Sequence, residues 1–459
     1  MHDKKSRVLI LGGGFAGVYA ALEFERRKDP DIEITLVNRD NFFLFTPMLH
    51  EIAASDLDIT NIVNPVRKML RHVDFFAGDV ESIDLEKRAV VVSHGFDHHT
   101  HTLEYDHLVL ALGSITNFFK IPGLEERAFT MKSLSDAIQL RNRLIGHLEE
   151  ADTECAAKDR EGLLTFVVAG GGFAGVETIA SINDFLRDVL PFYPNLKPEM
   201  LRVVLVHPGE YILSELGEKL GRYADEKLRH RGVEVRCKTR VSGVTQREVQ
   251  LDDGTRLTSF TLVWTAGASP NPTVDLLDCP KKRGRLQVSE FLDVRTLPGV
   301  WAIGDIVKTQ ALAHVASHEG IVAVEDAAGQ EPHPVDYDKV PSCTYCDPEV
   351  ASVGLTEDEA RKRGHDVVVG QFPFSAIAKA KILEDPRGFV KIVAEKKYDQ
   401  VLGVHIIGAH ATELISEATT ALNLEATAAS LFQAVHAHPT LAETMGEAAL
   451  AVHGRAIHI

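Results

Sequence analysis

The stretch RVLILGGGFAGVYAAL, residues 7–22, is repeated in the second quarter of the chain as LTFVVAGGGFAGVETIA, residues 164–180. Each copy is a run of β-branched and other apolar residues, followed by three glycines and then by a helical pattern. A second apolar run follows each helix, at residues 31–38 and in a segment that ends with His207. The sequence therefore predicts two strand–helix–strand units of the same kind, and hence an α/β protein.

In both copies the glycines follow the spacing GxGxxG directly after a strand. They are Gly12, Gly14 and Gly17 in the first copy, and Gly170, Gly172 and Gly175 in the second. The first glycine of this pattern permits a tight turn, the second lets the backbone approach a pyrophosphate, and the third allows close helix packing. The helix that follows offers free N–H groups to the phosphates. One match would be a weak signal, but two in the same setting predict two dinucleotide sites.

Neither unit has the acidic residue that commonly binds the ribose hydroxyls at the end of the second strand. Asn38 stands there in the first unit and His207 in the second. Asn38 can still exchange hydrogen bonds with a ribose, whereas His207 lacks the negative charge that would reject a 2′-phosphate. The choice between NADH and NADPH stays open, and NADH is favoured because the loop PGEYIL, residues 208–213, has no arginine pair.

Charge and composition exclude several classes of protein. A formal net charge of -17 and the lack of a Lys/Arg stripe argue against nucleic acid as a partner. No segment approaches the roughly 18 consecutive apolar residues of a membrane-spanning helix. Five cysteines without framework spacing suit a reducing compartment. We therefore expect a cytoplasmic protein, and we interpret its apolar start as a strand rather than a signal peptide.

The order of these segments predicts three domains. A strand that ends at Ser114 leads into a crossover, and the segments 261–272 and 299–307 return the chain to the first part. After residue 335, alternating strands and a helix-rich end predict an α+β module. The predicted domains are residues 1–122 with 268–335, residues 123–267, and residues 336–459.

With these features in place, the chain resembles two related kinds of flavoprotein. Residues 1–310 resemble type II NADH dehydrogenases, through NRDNFFLFTPMLHEIA (38–53), YDHLVLALGSITNFFKIPGLEE (105–126), WTAGASPNP (264–272) and WAIGDIV (301–307). Residues 311–459 resemble dihydrolipoamide dehydrogenases, through VPSCTYCDPEVASVGLTEDEA (340–360) and HAHPTLAE (436–443). Both belong to the pyridine nucleotide-disulfide oxidoreductases. The resemblance implies a glutathione-reductase-like fold, with FAD on the first unit, NAD(P)H on the second, and a C-terminal domain that forms a homodimer.

The resemblance also implies roles for individual residues. Asp305 would hold the ribityl hydroxyls of the flavin, Val80 would face the adenine through its backbone, and Glu177 would contact the nicotinamide carboxamide. The backbone of Cys343 would lie near the same carboxamide, and Ala313 and His314 would begin a helix that points at the flavin pyrimidine. The remaining implied cofactor-binding residues are Gly113 and Ser114 in the crossover, together with Pro47 and Gly267. For Glu177, a surface glutamate in a first helical turn is the alternative interpretation.

Dihydrolipoamide dehydrogenases pass electrons through a cysteine pair placed shortly after the first unit, and this chain has no cysteine before Cys155. Ordinary thiol–disulfide exchange therefore has no resolving thiol there. Cys343 and Cys346 form a CxxC motif, but residues three apart on a strand lie ~10 Å apart, beyond the ~7 Å limit for a disulfide. Two cysteines also make a poor zinc site. We expect neither a redox pair nor a metal.

Two groups of histidines remain. The resemblance implies that His438, oriented by Glu443, is the acid–base catalyst of a partner subunit's flavin site. The sequence leaves two roles open, proton transfer to an acceptor such as a quinone and a structural imidazole–carboxylate pair at a dimer interface. His98, His99 and His101 lie in the segment GFDHHTHT, residues 95–102, and His94 directly precedes it; we predict a hairpin tip there rather than a metal site.

Three functions follow, in order of preference. The first is an NAD(P)H oxidoreductase in which FAD passes electrons to a non-thiol acceptor, namely a quinone. The C-terminal segment GEAALAVHGRAIHI, residues 446–459, is too short and mixed for firm membrane anchoring. The second is a dihydrolipoyl dehydrogenase-like enzyme with a thiol substrate, and the third is a non-catalytic sensor that binds FAD and NAD(P)H.

Overall fold

The computed structural model describes residues 5–459, so the first four residues of the predicted first domain lie outside it. The first part of the chain forms strands that alternate with a few helices. The strands are Ser6–Leu11 (β1), Ile32–Asn38 (β2), Phe42–Leu44 (β3), Val63–Pro65 (β4), Asp74–Ala77 (β5), Asp79–Asp84 (β6), Ala89–His94 (β7), His99–Glu104 (β8), His107–Leu110 (β9) and Ser114–Thr116 (β10). The helices are Phe15–Arg27 (α1), Leu49–Ala53 (α2) and Val66–Met69 (α3).

The middle part repeats this pattern. Its helices are Leu124–Arg127 (α4), Leu134–Thr153 (α5), Ala157–Leu164 (α6), Phe173–Val189 (α7) and Glu218–His230 (α8). Its strands are Thr165–Ala169 (β11), Arg202–Val206 (β12), Val233–Arg236 (β13), Val241–Val244 (β14), Glu248–Leu251 (β15), Arg256–Thr258 (β16) and Thr261–Trp264 (β17). The chain then returns through Ala268–Pro270 (β18), Lys281–Lys282 (β19), Arg285–Leu286 (β20), Val300–Ala302 (β21) and the helix Ala313–Ala327 (α9).

Two parallel sheets share one strand order over four strands, and β21 extends the first sheet by a fifth. The first is β21-β9-β1-β2-β5 and the second is β17-β11-β12-β13, so β1 and β11 occupy equivalent central places. The last four residues of β1 and all five residues of β11 are buried, as expected for parallel strands that are covered on both faces. In each domain a small antiparallel sheet follows the outer strand, β6-β7-β8 in one and β14-β15-β16 in the other. The predicted repeat is therefore a repeat of whole domains.

The chain crosses between the two domains twice, on neighbouring strands. β10 leaves the first domain, β18 returns to it, and the two strands pair antiparallel. β21 then completes the first sheet by pairing with β9. The helix α9 follows β21 and packs against α1. The first sheet is thus formed by two separate parts of the sequence.

The last part of the chain is an antiparallel sheet with helices packed on it. Its order is β22-β23-β26-β25-β24, formed by Ser342–Thr344 (β22), Val350–Gly354 (β23), Val367–Pro373 (β24), Gly388–Glu395 (β25) and Val401–Gly408 (β26). The helices are Glu357–Lys362 (α10), Ala378–Ile382 (α11), Ala411–Asn423 (α12), Ala428–Gln433 (α13) and Glu443–Val452 (α14). α12 and α14 pack on this sheet, and β22 also contacts α7. No helix within residues 5–459 combines the length and apolar composition needed to cross a bilayer.

Candidate functional site

The first glycine-rich turn has the shape of a dinucleotide cradle. Gly12 has φ +110°, and a Cβ there would lie 2.2 Å from the carbonyl oxygen of Ala111. A Cβ on Gly17 would lie 1.8 Å from the carbonyl oxygen of Gly12, which closes the turn onto α1. Gly14 has no neighbour within 4 Å of such a Cβ, so the space above it is free for a phosphate group.

The second glycine-rich turn repeats this geometry. Gly170 has φ +125°, and a Cβ on Gly175 would lie 1.7 Å from the Gly170 carbonyl oxygen. Gly172 is open, because the nearest atom to a Cβ there is Oε1 of Glu215 at 3.9 Å. Both turns therefore fit a pyrophosphate at the start of a helix.

Asn38 and His207 support the glycine-rich turns from below. The N–H of Gly13 donates to Oδ1 of Asn38 at 2.8 Å, and the N–H of Gly171 donates to Nδ1 of His207 at 3.0 Å. Burial lowers the pKa of His207, which favours a neutral ring at pH 7. Because Nδ1 accepts the N–H of Gly171, the proton of the neutral ring lies on Nε2. The two residues thus play the same structural part in both domains, and their contact with a ribose stays a prediction.

A cavity of about 890 Å³ lies where the two dinucleotide domains and β22 meet. It is the place where the structure brings together many of the predicted site residues. Those that line it are Gly14, Pro47, Gly113, Ser114, Glu177, Asp305, Ala313, His314 and Cys343. The other predicted cofactor-binding residues lie outside its lining: Gly12, Gly17, Asn38, Val80, Gly170, Gly172, Gly175, His207 and Gly267. Of these, Val80 lies on β6, and Gly267, with φ +75°, lies just before the return strand β18.

At one end of the cavity, Asp305 belongs to a chain of polar side chains. Oγ of Ser114 donates to Oδ2 of Asp305 at 2.5 Å, and Nζ of Lys132 donates to Oγ of Ser114 at 3.0 Å. A carboxylate and a hydroxyl placed side by side suit a chain of sugar-alcohol hydroxyls. Lys132 lines the cavity and was not predicted from the sequence, because it reaches Ser114 from the second domain.

The start of α9 faces the same cavity. The helix begins at Ala313, as predicted, and no side chain caps its first N–H groups. Nε2 of His314 donates to the carbonyl oxygen of Pro341 at 2.8 Å, and burial lowers the pKa of this histidine, so that it is neutral. The free N–H groups and the helix dipole provide partial positive charge for an electron-rich ring.

Glu177 and His50 form a buried pair on another wall of the cavity. Oε1 of Glu177 accepts a hydrogen bond of 2.9 Å from the N–H of Tyr345, and Nδ1 of His50 lies 3.0 Å from Oγ of Ser181. Oε2 of Glu177 and Nε2 of His50 are 4.0 Å apart, which is an ion-pair distance. Burial nevertheless raises the pKa of Glu177 to about 8 and lowers that of His50 to about 4. Because burial disfavours both charges, we describe the pair as a neutral acid beside a neutral imidazole at pH 7.

This pair corrects one sequence-based interpretation and adds one residue to the candidate site. The alternative of a surface glutamate for Glu177 is wrong, since its side chain is buried. His50 was missed, although it lies within the segment 38–53 that carries the resemblance. Its contact with Glu177 joins α2 to α7 across more than a hundred residues, and no local pattern signals such a contact.

Neither cysteine of the CxxC motif provides a ready thiolate. All five are free. Cys343 lines the cavity, but burial raises its pKa to about 12, and burial also raises the pKa of Cys346. The prediction that both lie on one strand is wrong, because β22 ends at Thr344 and Cys346 lies in the bend before the cis Asp347–Pro348 bond. Since the thiolate is the reactive form, these thiols are poor nucleophiles.

His438 and Glu443 form the predicted pair, away from the cavity of their own chain. Nδ1 of His438 lies 2.9 Å from Oε1 of Glu443, whose other oxygen accepts the N–H of Thr440 at 2.8 Å. Burial opposes the ionisation of Glu443, but the Thr440 N–H and His438 lower its pKa overall. The His438 side chain is 72% exposed. It is therefore free to meet another molecule, and both roles considered for it stay open.

The histidine-rich segment is a hairpin, as predicted. His94 ends β7 and His99 begins β8, and Nε2 of His94 lies 2.9 Å from Nε2 of His101. Among residues 5–459, no group of three or more histidines, cysteines and acids has the arrangement of a metal site.

Each parallel sheet carries a glycine-rich turn that fits a pyrophosphate, and one cavity is lined by residues of both domains, which is the arrangement of a protein with two dinucleotide sites. Residues 6–320 match the family described as pyridine nucleotide-disulphide oxidoreductase, and residues 340–449 match its dimerisation domain. The chain belongs to this family, which confirms the predicted family, fold and cofactors, FAD and NAD(H).

The curated relatives include dihydrolipoyl dehydrogenases. That of Bacillus subtilis (strain 168) is 38% identical over 306 residues, 64% of this chain and 61% of the relative. That of Thermus scotoductus is 36% identical over 324 residues, 67% of this chain and 66% of the relative. The chain thus spans about three fifths to two thirds of the length of these relatives.

Solved structures of the same fold come from differently named proteins. LpdA from Mycobacterium tuberculosis has a TM-score of 0.76 at 22% identity and covers 97% of this chain and 99% of its own. NDH2 from Plasmodium falciparum in complex with NADH has a TM-score of 0.70 at 18% identity and covers 76% of this chain and 90% of its own. At such identities the likeness shows the fold alone.

Proposed function

We propose that the protein is an FAD-dependent NAD(P)H oxidoreductase that passes electrons from the flavin directly to a non-thiol acceptor of the quinone type. The observation that carries this proposal is the wall of the cavity formed by residues 44–50. This wall is lined by Phe45, Pro47 and His50, and residues 44–50 include no cysteine. An acceptor can therefore approach without a protein disulfide between it and the flavin.

The residues around the cavity have distinct tasks in this proposal. Asp305 and Ser114 would hold the ribityl chain, and the start of α9 would lie at the pyrimidine end of the ring. Glu177, fixed by the N–H of Tyr345, would position the nicotinamide carboxamide. When bound, FAD can accept a hydride from the nicotinamide and release electrons to a second substrate. The protein contributes orientation and the exclusion of water.

We also propose a homodimer formed by the last domain. The match to a dimerisation domain supports it, as does the fully exposed Val435, which is 99% exposed beside the His438 loop. In such a dimer His438 would be available to a site of the partner subunit. The relatives named as dehydrogenases support an enzyme over a non-catalytic sensor.

A thiol substrate is the second candidate, and the names of the curated relatives favour it. Among the described residues that line the cavity, Cys343 is the thiol that such a reaction would have to use. Its raised pKa argues against that use.

The test compares acceptors on purified, FAD-loaded protein. Our proposal predicts rapid turnover of NADH with water-soluble quinones, no activity with dihydrolipoamide, and an unchanged rate in Cys343→Ala. Stopped-flow spectra should show no thiolate–flavin charge-transfer band during reduction. Efficient dihydrolipoamide oxidation that Cys343→Ala abolishes, with slow quinone turnover, would establish the thiol reaction instead.

A further inference from the structure

Glu319 is a buried carboxylate that lies behind the flavin cavity rather than in its wall. It belongs to α9, and its side chain is 0% exposed. Oε2 accepts a hydrogen bond of 2.7 Å from the N–H of Gly304, and Oε1 accepts one of 2.9 Å from the hydroxyl of Tyr337. The side chain of Thr309 is a third hydrogen-bond partner. A carboxylate buried this deeply requires such donors, because an unpaired one is costly.

The hydrogen bond to Gly304 fixes the turn that presents Asp305. Gly304 has φ +73° and is packed closely against α1, where a Cβ would lie 3.3 Å from that of Ala16. On the other side, Nε of Arg285 donates to the carbonyl oxygen of Asp305 at 3.0 Å. The turn is thus held from two directions. If Glu319 were lost, the Gly304 N–H would be buried without an acceptor and the turn would move, taking Asp305 with it.

Tyr337 connects this carboxylate to the segment that enters the dimerisation domain. Its carbonyl oxygen accepts a hydrogen bond of 2.8 Å from Nε2 of Gln310, and that of Pro341 accepts one from Nε2 of His314. Three hydrogen bonds therefore fasten residues 337–341 to the loop and helix that follow Asp305. A displacement of the segment would reach Asp305 through two hydrogen bonds.

We propose that Glu319 is a positioning residue for the flavin site, and that Tyr337 couples flavin binding to the placement of the dimerisation domain. This inference rests on the proposed assignment of Asp305 to FAD. At the position of Oε2 of Glu319, the Gly304 N–H requires an acceptor oxygen, which an amide supplies as well as a carboxylate. The hydroxyls of Tyr337 and Thr309 can each donate or accept, so they would adapt to an amide at this place.

The experiment measures FAD affinity by titrating FAD into the apoprotein. We expect Tyr337→Phe to weaken FAD binding about three- to tenfold and Glu319→Ala to weaken it more than about thirtyfold, whereas Glu319→Gln should stay within about twofold of the wild type. The matched control is Tyr193→Phe, since the Tyr193 hydroxyl donates to Oε1 of Glu149 at 3.0 Å on the second domain. It should leave FAD affinity unchanged.

A second readout is the dimer dissociation constant, measured by sedimentation with and without FAD. By reciprocity, coupling makes FAD strengthen the dimer, and Tyr337→Phe should reduce that effect. Wild-type FAD affinity in a folded Tyr337→Phe variant would overturn the inference, as would a Glu319→Gln variant as weak as Glu319→Ala. These are binding measurements. Absence of turnover with every quinone would therefore contradict the proposed acceptor without contradicting this inference.

Discussion

Glu177 makes the stability of the folded protein depend on pH. Burial raises its pKa from the ordinary 4.5 to about 8, so between these values the unfolded chain loses a proton that the folded chain keeps. The free energy of unfolding then falls as pH rises, by at most about 1.4 kcal/mol per pH unit. Burial lowers the pKa of His50 from 6.5 to about 4, so this residue has the opposite effect on the free energy of unfolding below pH 6.5. We therefore expect the free energy of unfolding to fall between about pH 6.5 and 8.

Chemical denaturation of wild type and Glu177→Gln at saturating FAD measures this effect. The variant should lack the decline between pH 6.5 and 8, and Glu149→Gln, on the exposed side of α5, should keep it. Parallel curves for wild type and Glu177→Gln would show that Glu177 is already ionised in the folded protein.

His438 allows a kinetic prediction that separates its two open roles. Because it lies outside the cavity of its own chain, His438→Ala should leave the reduction of FAD by NADH within about twofold of the wild type. If it transfers protons, reoxidation by the acceptor should slow by about 10²-fold or more. Stopped-flow measurement of the two half-reactions gives both rates, with His453→Ala, which removes a histidine paired with Asp399, as control. Unchanged reoxidation would assign His438 to the interface, and a collapse of flavin reduction would contradict both roles.

Among the structural elements, the two glycine-rich turns should respond independently to substitution. A Cβ on Gly175 would lie 1.7 Å from a backbone oxygen, so Gly175→Ala must displace the turn of the second domain. We expect NADH affinity to fall at least about tenfold, or about 1.4 kcal/mol, with normal FAD content. Calorimetric titration of NADH measures this change. Gly146→Ala, in the open on α5, should leave both cofactors bound and add roughly 0.5–1 kcal/mol of stability.

The elements were largely predictable because their signals are local. The glycine spacing located β1, α1, β11 and α7, and the histidine-rich segment was correctly predicted to form a hairpin. The assumption that one strand carries both Cys343 and Cys346 was wrong, since β22 ends at Thr344 and Cys346 lies in a bend. The contacts of His50 with Glu177 and of Glu319 with Gly304 depend on packing between distant segments. Periodicity carries no information on such contacts.

For the whole molecule, the proposed homodimer predicts that a charge introduced at Val435 weakens association. Val435 is 99% exposed in the single chain, and burying a charge at this place without a partner would oppose association. Val435→Asp should raise the dimer dissociation constant at least about tenfold, as measured by sedimentation equilibrium. Phe192→Asp, at an apolar residue of the second domain that is 82% exposed, should have no effect. Equal dissociation constants for both variants would place the interface elsewhere.

The discontinuity of the first domain affects how the protein is made on the ribosome. β9 is synthesised early, but its neighbour β21 emerges only after the entire second domain. Until then the apolar strand Leu108–Leu110 has an open edge, which invites pairing with other chains. Asp305, Glu319 and Tyr337 emerge later still. A nascent chain should therefore acquire its flavin only after Tyr337 has emerged, and chaperone demand should be greatest while the second domain is being synthesised.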